Sequence, residues 1–231
     1  MAVSFLCTRV QNPDTNDLKK LQRVIKYLRR TKGPPLTLEI EEENGIKWWV
    51  DAAYTVHPDM RSHTGQVMKM GKGAIYSSSG KQKLNTRSSN QAELVGANDA
   101  MGEILWTKIF VKAQGYKLTE TVLYQDNMSS MLLEKNGQNS STKWTKHTNV
   151  RYFFITDQLS KKEVELKYCP TDQMIADYMT KALQGKLFRK FRREIMNMGD
   201  DSEIDDLTYH RSVLDVKQEK VTPATNETSQ G

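Results

Sequence analysis

Residues 46–54 read IKWWVDAAY, and the reading of this stretch decides the fold. Isoleucine, valine and two tryptophans within five positions suit a buried central β-strand. Asp51 stands at the end of that strand. An unpaired carboxylate in such a place takes up a proton, unless a cation or several hydrogen-bond donors compensate its charge.

Outward from this strand the pattern stays short and β-like. Residues 46–52, 64–70 and 74–79 predict three strands separated by turn residues that include Gly71 and Gly73, an antiparallel meander. A long helix is expected over 89–114, with Ser88 as its cap and Gln91 three places on, the spacing of a capping box. Then come a strand at 119–126, a short helix near 127–136, a Ser/Thr/Asn-rich loop at 137–145 and a helix at 147–161. Strand 163–169 and helix 172–184 complete the series, and the basic segment 186–193 is expected to extend that last helix. The order βββαβαβα predicts an α/β layered domain with a mixed sheet, for which roughly 140 residues suffice. Upstream, residues 14–31 predict an amphipathic helix. Leu18, Leu21, Val24, Ile25 and Leu28 recur at three-and-four spacing among Lys19, Lys20, Arg23, Lys26, Arg29 and Arg30.

Three further acids share the predicament of Asp51. Asp126 ends the apolar run TVLYQD. Glu93 falls on the stripe of the long helix that carries Ala97, Ala100, Met101, Ile104 and Leu105. Asp177 lies within MIADYM. Two strand ends and two helices can bring four carboxylates to the carboxyl edge of a sheet, where α/β folds place their sites. Such a cluster can hold two divalent cations about 3.5–4 Å apart and clamp an in-line phosphoryl displacement. Taken singly, each acid also has a plainer reading. Asp51 or Asp126 can terminate a strand, Glu93 can complement a helix dipole, and Asp177 can pair with Lys181 one turn on.

Composition narrows the choice of metal and partner. The 231 residues contain two cysteines, Cys7 and Cys169, and four scattered histidines, His57, His63, His147 and His210. This excludes a disulfide scaffold and a zinc cluster, and leaves oxygen ligands and hard cations such as magnesium. Residues 199–231 carry eight acidic side chains against three basic ones. The net charge of +6 is therefore a surplus of +11 in the first 198 residues offset by −5 in the tail. A basic body suits contact with phosphates, and an acidic tail poor in aromatics is expected to be disordered. No run approaches the roughly 20 apolar residues that cross a bilayer, so no membrane partner is expected.

Several longer motifs now point to a family. They are WVDAAY at 49–54, SGKQKLNTRSSNQAELVGANDAMGEILW at 79–106, LYQDNMSSM at 123–131, TKHTNVRYFFITDQL at 145–159 and VELKYCPTDQMIADYMTKAL at 164–183. Over residues 46–184 the chain resembles the ribonuclease H domain that ends the Pol polyprotein of copia-type long-terminal-repeat retrotransposons. Residues 1–45, with AVSFLCTRVQNP and LKKLQRVIKYLRRTKG, resemble the linker between polymerase and ribonuclease H, which leaves 185–198 as a basic helical extension and 199–231 as the tail. The polymerase's paired-Asp motif is not found, so a fragment or truncated copy is expected.

The resemblance implies an RNase H fold of five strands with helices on both faces. It implies cleavage of the RNA strand of RNA/DNA hybrids, leaving a 5′-phosphate and a 3′-hydroxyl, with two magnesium ions, or manganese, held by Asp51, Glu93, Asp126 and Asp177. The polymerase of the parent polyprotein is the implied protein partner, and cytoplasmic virus-like particles are the implied setting. Candidate hybrid contacts are Lys81, Lys83, Arg87, Asn90, Gln91, Asn127, Ser129, Lys143, Lys146, His147 and Arg151. Trp48, Trp49, Trp106 and Phe153 read as core. Two departures from the family pattern stand out: Gln91 replaces an acid two residues before Glu93, and KYCPTDQMIAD lacks a loop histidine. His147 is accordingly read as structural or phosphate-contacting. The alternative is a catalytically inactive nucleic-acid-binding remnant. An integrase-like transferase is disfavoured by the order D, E, D, D.

Overall fold

The structure, a computed structural model, describes residues 2–40, 45–136 and 146–199. Strand β2 (Ile46–Ala53) lies at the centre of a five-stranded sheet. On one side it pairs antiparallel with β3 (His63–Lys69), which pairs antiparallel with β5 (Tyr76–Lys81). A crossover through α3 (Ser89–Ala113) then carries the chain from the edge strand over the sheet. It enters β6 (Thr121–Gln125) parallel to β2 on the other side. Helices α4 (Met128–Asn136) and α5 (Lys146–Ser160) lead to β7 (Glu165–Tyr168), parallel to β6. The order β5-β3-β2-β6-β7, a meander continued by parallel crossovers, is the mixed α/β sheet expected from the sequence.

Alternation along β2 divides the core in two. Ile46, Trp48 and Val50 join Leu94, Ala97, Ala100, Met101 and Ile104 of α3 on one face. Trp49 turns to the other face, where Val67, Met174, Ile175, Phe191 and Ile195 cover it. Each large apolar side chain sealed in this way contributes about 1.5–3 kcal/mol. Gly96 lets α3 lie close on the first face, since a Cβ there would stand 3.3 Å from Thr64 Cγ2 and 3.4 Å from Val50 Cγ1.

The second face departs from expectation. In place of one helix over 172–184 there is a single 3-10 turn at Thr171–Gln173 followed by the four-residue helix α6 (Asp177–Thr180). Met174, Ile175 and Ala176 are all fully buried, and three consecutive buried residues do not fit the single stripe of a helix lying on a sheet. The basic segment does not extend that helix either. It forms a separate helix, α7 (Gly185–Met196), entered through Gly185 at φ +61°. Phe191 and Ile195 seat α7 on the sheet beside Trp49.

Two aromatic assignments also change. Trp48 and Trp49 are core, but Trp106 is 62% exposed and stacks on Phe110, and Phe153 is 49% exposed. On α3 the sheet-facing stripe runs through Ala97, Ala100, Met101 and Ile104, so Trp106 and Phe110 fall on the outer side.

Upstream, α1 (Ala2–Cys7) and α2 (Thr15–Arg30) form a hairpin, and β1 (Glu39–Ile40) pairs with β4 (Gly71–Lys72). Asp14 caps α2, with Asp17 completing a reciprocal capping box. The apolar stripe of α2 is not covered, since Leu18, Leu21, Ile25 and Leu28 are all exposed. No helix among the described residues is long and apolar enough to cross a membrane. The expectations for the loop at 137–145 and for the tail from residue 200 fall outside the described residues.

Candidate active site

The parallel pairing of β2 with β6 runs from Ile46 opposite Thr121 to Trp49 opposite Tyr124, where it stops. Asp51 and Asp126 follow two residues later on the two chains, so the splitting of the strand ends leaves both acids at the rim. Glu93 arrives in the second turn of α3, fixed by the Ser88 cap, whose hydroxyl accepts from the N–H of Gln91 at 3.2 Å. Gln91 turns back one residue further than a capping box requires, to the N–H of Arg87 at 2.7 Å. Ligand oxygens of Asp51, Glu93 and Asp126 lie within 4.8 Å of one another.

Burial and mutual repulsion act on this group together. Burial raises the pKa of Glu93 well above the usual carboxylate range. The negative charges of Asp51 and Asp126 add to that, against the N–H of Ala52. Asp51 is raised as well, by burial first, against the Lys181 ammonium and the Thr180 hydroxyl. Asp126 is half-buried and accepts from Thr171 Oγ1 at 3.2 Å.

Asp177, the fourth predicted acid, heads α6 and is 1% exposed. Burial and the charge of Asp51 push its pKa up to about 6, with Lys181 opposing. It stands outside the set of three, beside Asp51. The plainer reading of Asp177 is seen directly: Lys181, one turn on, has its Nζ 2.7 Å from Asp177 Oδ1.

Helix α6 is held where it is by close approach and by a hydrogen-bond chain. Gly65 pairs with Asp51 across the sheet, and a Cβ there would stand 2.7 Å from both Met179 Cβ and Thr180 Cγ2. Ser79 Oγ donates to the Met179 carbonyl at 2.6 Å. The same hydroxyl lies 2.8 Å from His63 Nε2, and His63 Nδ1 lies 3.0 Å from His57 Nε2. A proton on Nε2 of each ring satisfies the chain in one direction, toward Met179. Burial drives the His63 pKa down to about 4, so this ring is neutral. The sequence offers no local sign of the contacts to α6, because Ser79 and Met179 are a hundred residues apart.

The candidate hybrid contacts differ in their surroundings. Asn127 Nδ2 donates to Asn90 Oδ1 at 3.0 Å, and Asn127 Oδ1 accepts from the N–H of Ser130, so the two amides are coupled between α3 and α4. Lys83, Arg87 and Ser129 are exposed. Lys81 pairs with Asp59 at 2.9 Å, and Arg151 is half-buried. Lys146 and His147 begin α5, their side chains outside the described set, and Lys143 lies outside the described residues altogether.

No protein-family model matches the chain. It is 28% identical over 198 residues, 85% of its length, to the retrovirus-related Pol polyprotein from transposon TNT 1-94 of Nicotiana tabacum. It is 28% identical over 196 residues to the corresponding polyprotein from transposon RE1 of Arabidopsis thaliana, covering 84% of this chain. The chain resembles part of a retrotransposon Pol polyprotein. It spans 15% and 13% of those relatives' lengths. Among solved structures, LC11-RNase H1, isolated from compost by a metagenomic approach, aligns with a TM-score of 0.43 and 14% identity. That alignment covers 59% of this chain and 92% of LC11-RNase H1. The PFV RNase H domain aligns with a TM-score of 0.39 and 14% identity, over 67% of this chain and 90% of that domain. The mixed five-stranded sheet described for this Pol-like chain stands on its own strand order and crossover.

Proposed function

We propose that this chain is a retrotransposon ribonuclease H that hydrolyses the RNA strand of RNA/DNA hybrids with two divalent cations. The observation that carries the proposal is the convergence of Asp51 from the central strand, Asp126 from just beyond the end of β6 and Glu93 from a helix, within 4.8 Å. Their fit to magnesium or manganese is chemical. All donors are hard oxygens, and buried carboxylates this close repel unless a cation lies among them. Asp177, outside this set but joined to Asp51 through Lys181, is the fourth ligand of the proposal.

Asp51, Glu93, Asp126 and Asp177 would hold the cations, which would supply charge neutralisation and activation of a water for attack on the scissile phosphorus. The chain's own residues do the positioning. Asp51 and Asp126 would be the best ligands to share, and Asp51 is oriented on one side by the Thr180 hydroxyl. Glu93 is held on the rigid first turns of α3, and Thr171 steadies the more open Asp126. The coupled amides of Asn90 and Asn127 suit the minor groove, where 2′-hydroxyls distinguish RNA from DNA. Lys83 and Arg87 suit the phosphates of the partner strand, so binding weakens as salt rises. The setting proposed is intracellular, in virus-like particles, with the polymerase of the parent polyprotein as partner.

A labelled hybrid, duplex DNA and duplex RNA incubated with magnesium, with and without chelator, test the proposal. Cleavage of the hybrid's RNA strand alone, abolished by chelator and by Asp51→Asn or Asp126→Asn in folded protein, is the expected result. Salt-dependent hybrid binding without any cleavage over hours would support the inactive binding remnant instead.

A further inference from the structure

Two sets of oxygens share Asp51. The first is Asp51 with Glu93 and Asp126, and no ion pair to Glu93 or Asp126 occurs among the described residues. The second is Asp51 with Asp177, and here a cation of the chain itself is present. Lys181 Nζ lies 2.7 Å from Asp177 Oδ1 and 3.6 Å from Asp51 Oδ1. Thr180 donates its hydroxyl to the other oxygen of Asp51, so consecutive residues of one turn engage both oxygens of that carboxylate.

The three partners differ in how firmly they are held. The side chains of Asp51 and Asp177 are 4% and 2% exposed, and that of Lys181 is 40% exposed. Asp51 is fixed in the central strand, and Asp177 in a helix that Gly65 allows to lie directly on the sheet. Lys181 follows that helix in extended conformation, on a four-carbon stem that reaches in from solvent. The ammonium is therefore the one member that can leave without disturbing the fold. Two buried carboxylates without it would be left uncompensated, at a large cost, unless another cation took its place.

We propose that Lys181 is an exchangeable counterion that holds the Asp51–Asp177 half of the site in the cation-free protein and swings out when a divalent cation enters that half. The inference rests on reading the carboxylate cluster as a cation site. It makes the two halves unequal. A cation joining Asp51, Glu93 and Asp126 meets Lys181, among the described residues, only through its longer contact to Asp51, whereas one joining Asp51 and Asp177 competes with Lys181 at both carboxylates. Loading of the second half is then weaker, and Lys181 acts as a positioning residue that sets how much weaker.

Calorimetric titration of the full chain with Mn2+, with thermal unfolding in chelator alongside, tests this on the wild type, Lys181→Met, Lys181→Arg and Asp177→Asn. The wild type is expected to bind one cation more tightly than a second, and Asp177→Asn to lose the weaker event. Lys181→Met should tighten the weaker event by roughly tenfold or more and unfold at lower temperature in chelator, with Mn2+ restoring it. Lys181→Arg should behave like the wild type. Unchanged affinities in Lys181→Met overturn the inference while leaving the proposed function standing. Absence of Mn2+ binding in the wild type overturns both. Should Lys181→Met be unfolded in chelator, recovery on adding Mn2+ supports the inference, and failure to recover at saturating Mn2+ overturns it.

Discussion

Apart from Asp17, which pairs with Arg9 in the N-terminal hairpin, the buried carboxyl groups of the described residues fall in two parts of the molecule, and their surroundings differ. Glu134, on α4, is fully buried, and the nearest donors to its Oε1 are Ser130 Oγ at 3.2 Å and Gln125 Nε2 at a long 3.4 Å. Burial pushes its pKa up to about 8. Its Oε2 and the Oε1 of Gln125 are both without a hydrogen-bond partner among the described residues. A proton on Glu134 turns one of these two acceptors into a donor, so the neutral acid is the form that suits the place. Asp51, Glu93 and Asp126 are also withdrawn from water, but they face one another at a split in the sheet, with Asp126 partly open to solvent. A single acid can meet burial by keeping its proton. Three acids in mutual reach, at a rim that solvent can enter, are suited to share a cation.

The sharpest test of that contrast replaces one acid of each kind by its amide. Glu93→Gln is expected to lower hybrid cleavage by more than ~100-fold, beyond the usual effect of losing a group that merely supports a ligand. Glu134→Gln is expected to leave cleavage within about twofold. Comparable losses in the two variants, measured under single-turnover conditions, would erase the distinction.

Stability should report the opposite asymmetry. The native state holds the Glu134 proton to about pH 8, and the unfolded chain releases it near the ordinary glutamate value. Stability from this group is therefore complete below the unfolded pKa and is lost as pH rises through the folded one. Roughly 1.4 kcal/mol per unit of difference makes this a change of several kcal/mol between pH 4 and 9. Denaturant titrations should show the wild type weakening across that range and Glu134→Gln flattening the slope. Equal slopes in the two proteins would contradict the assignment of a neutral Glu134.

A smaller effect tests how the rim is assembled. Gly65→Ala places a Cβ against Met179, Thr180 and the Ala176 carbonyl, and is expected to destabilise by about 1–3 kcal/mol and to reduce cleavage by shifting α6. Retained stability and cleavage would show that α6 can give way there. The smallest effect belongs to Trp106→Ser on the outer side of α3, which should change stability by no more than about 0.5 kcal/mol. A loss of several kcal/mol would mean that the side chain is core after all.

Much of this was legible in the sequence, and the rest was not, for a physical reason. The central strand, the meander, the Ser88 cap and the four acids all announce themselves through local periodicity and through charges in apolar surroundings. The contacts that hold α6 are different in kind. Lys181 is legible as the i,i+4 partner of Asp177, but its second contact is to a strand residue 130 positions away. The Ser79 and Gly65 contacts to α6 are similarly remote. Periodicity also cannot distinguish a helix buried on one stripe from a turn buried throughout, which is why residues 172–184 read as continuous.

The central claim is that Asp51, Glu93 and Asp126 make a single cation pocket, and divalent-cation binding to the folded protein in the absence of nucleic acid tests it most directly. Titration with Mn2+ should show a binding event that Asp126→Asn removes and Glu134→Gln preserves. Binding that survives Asp126→Asn unchanged, or that no carboxylate of the set affects, would contradict the account.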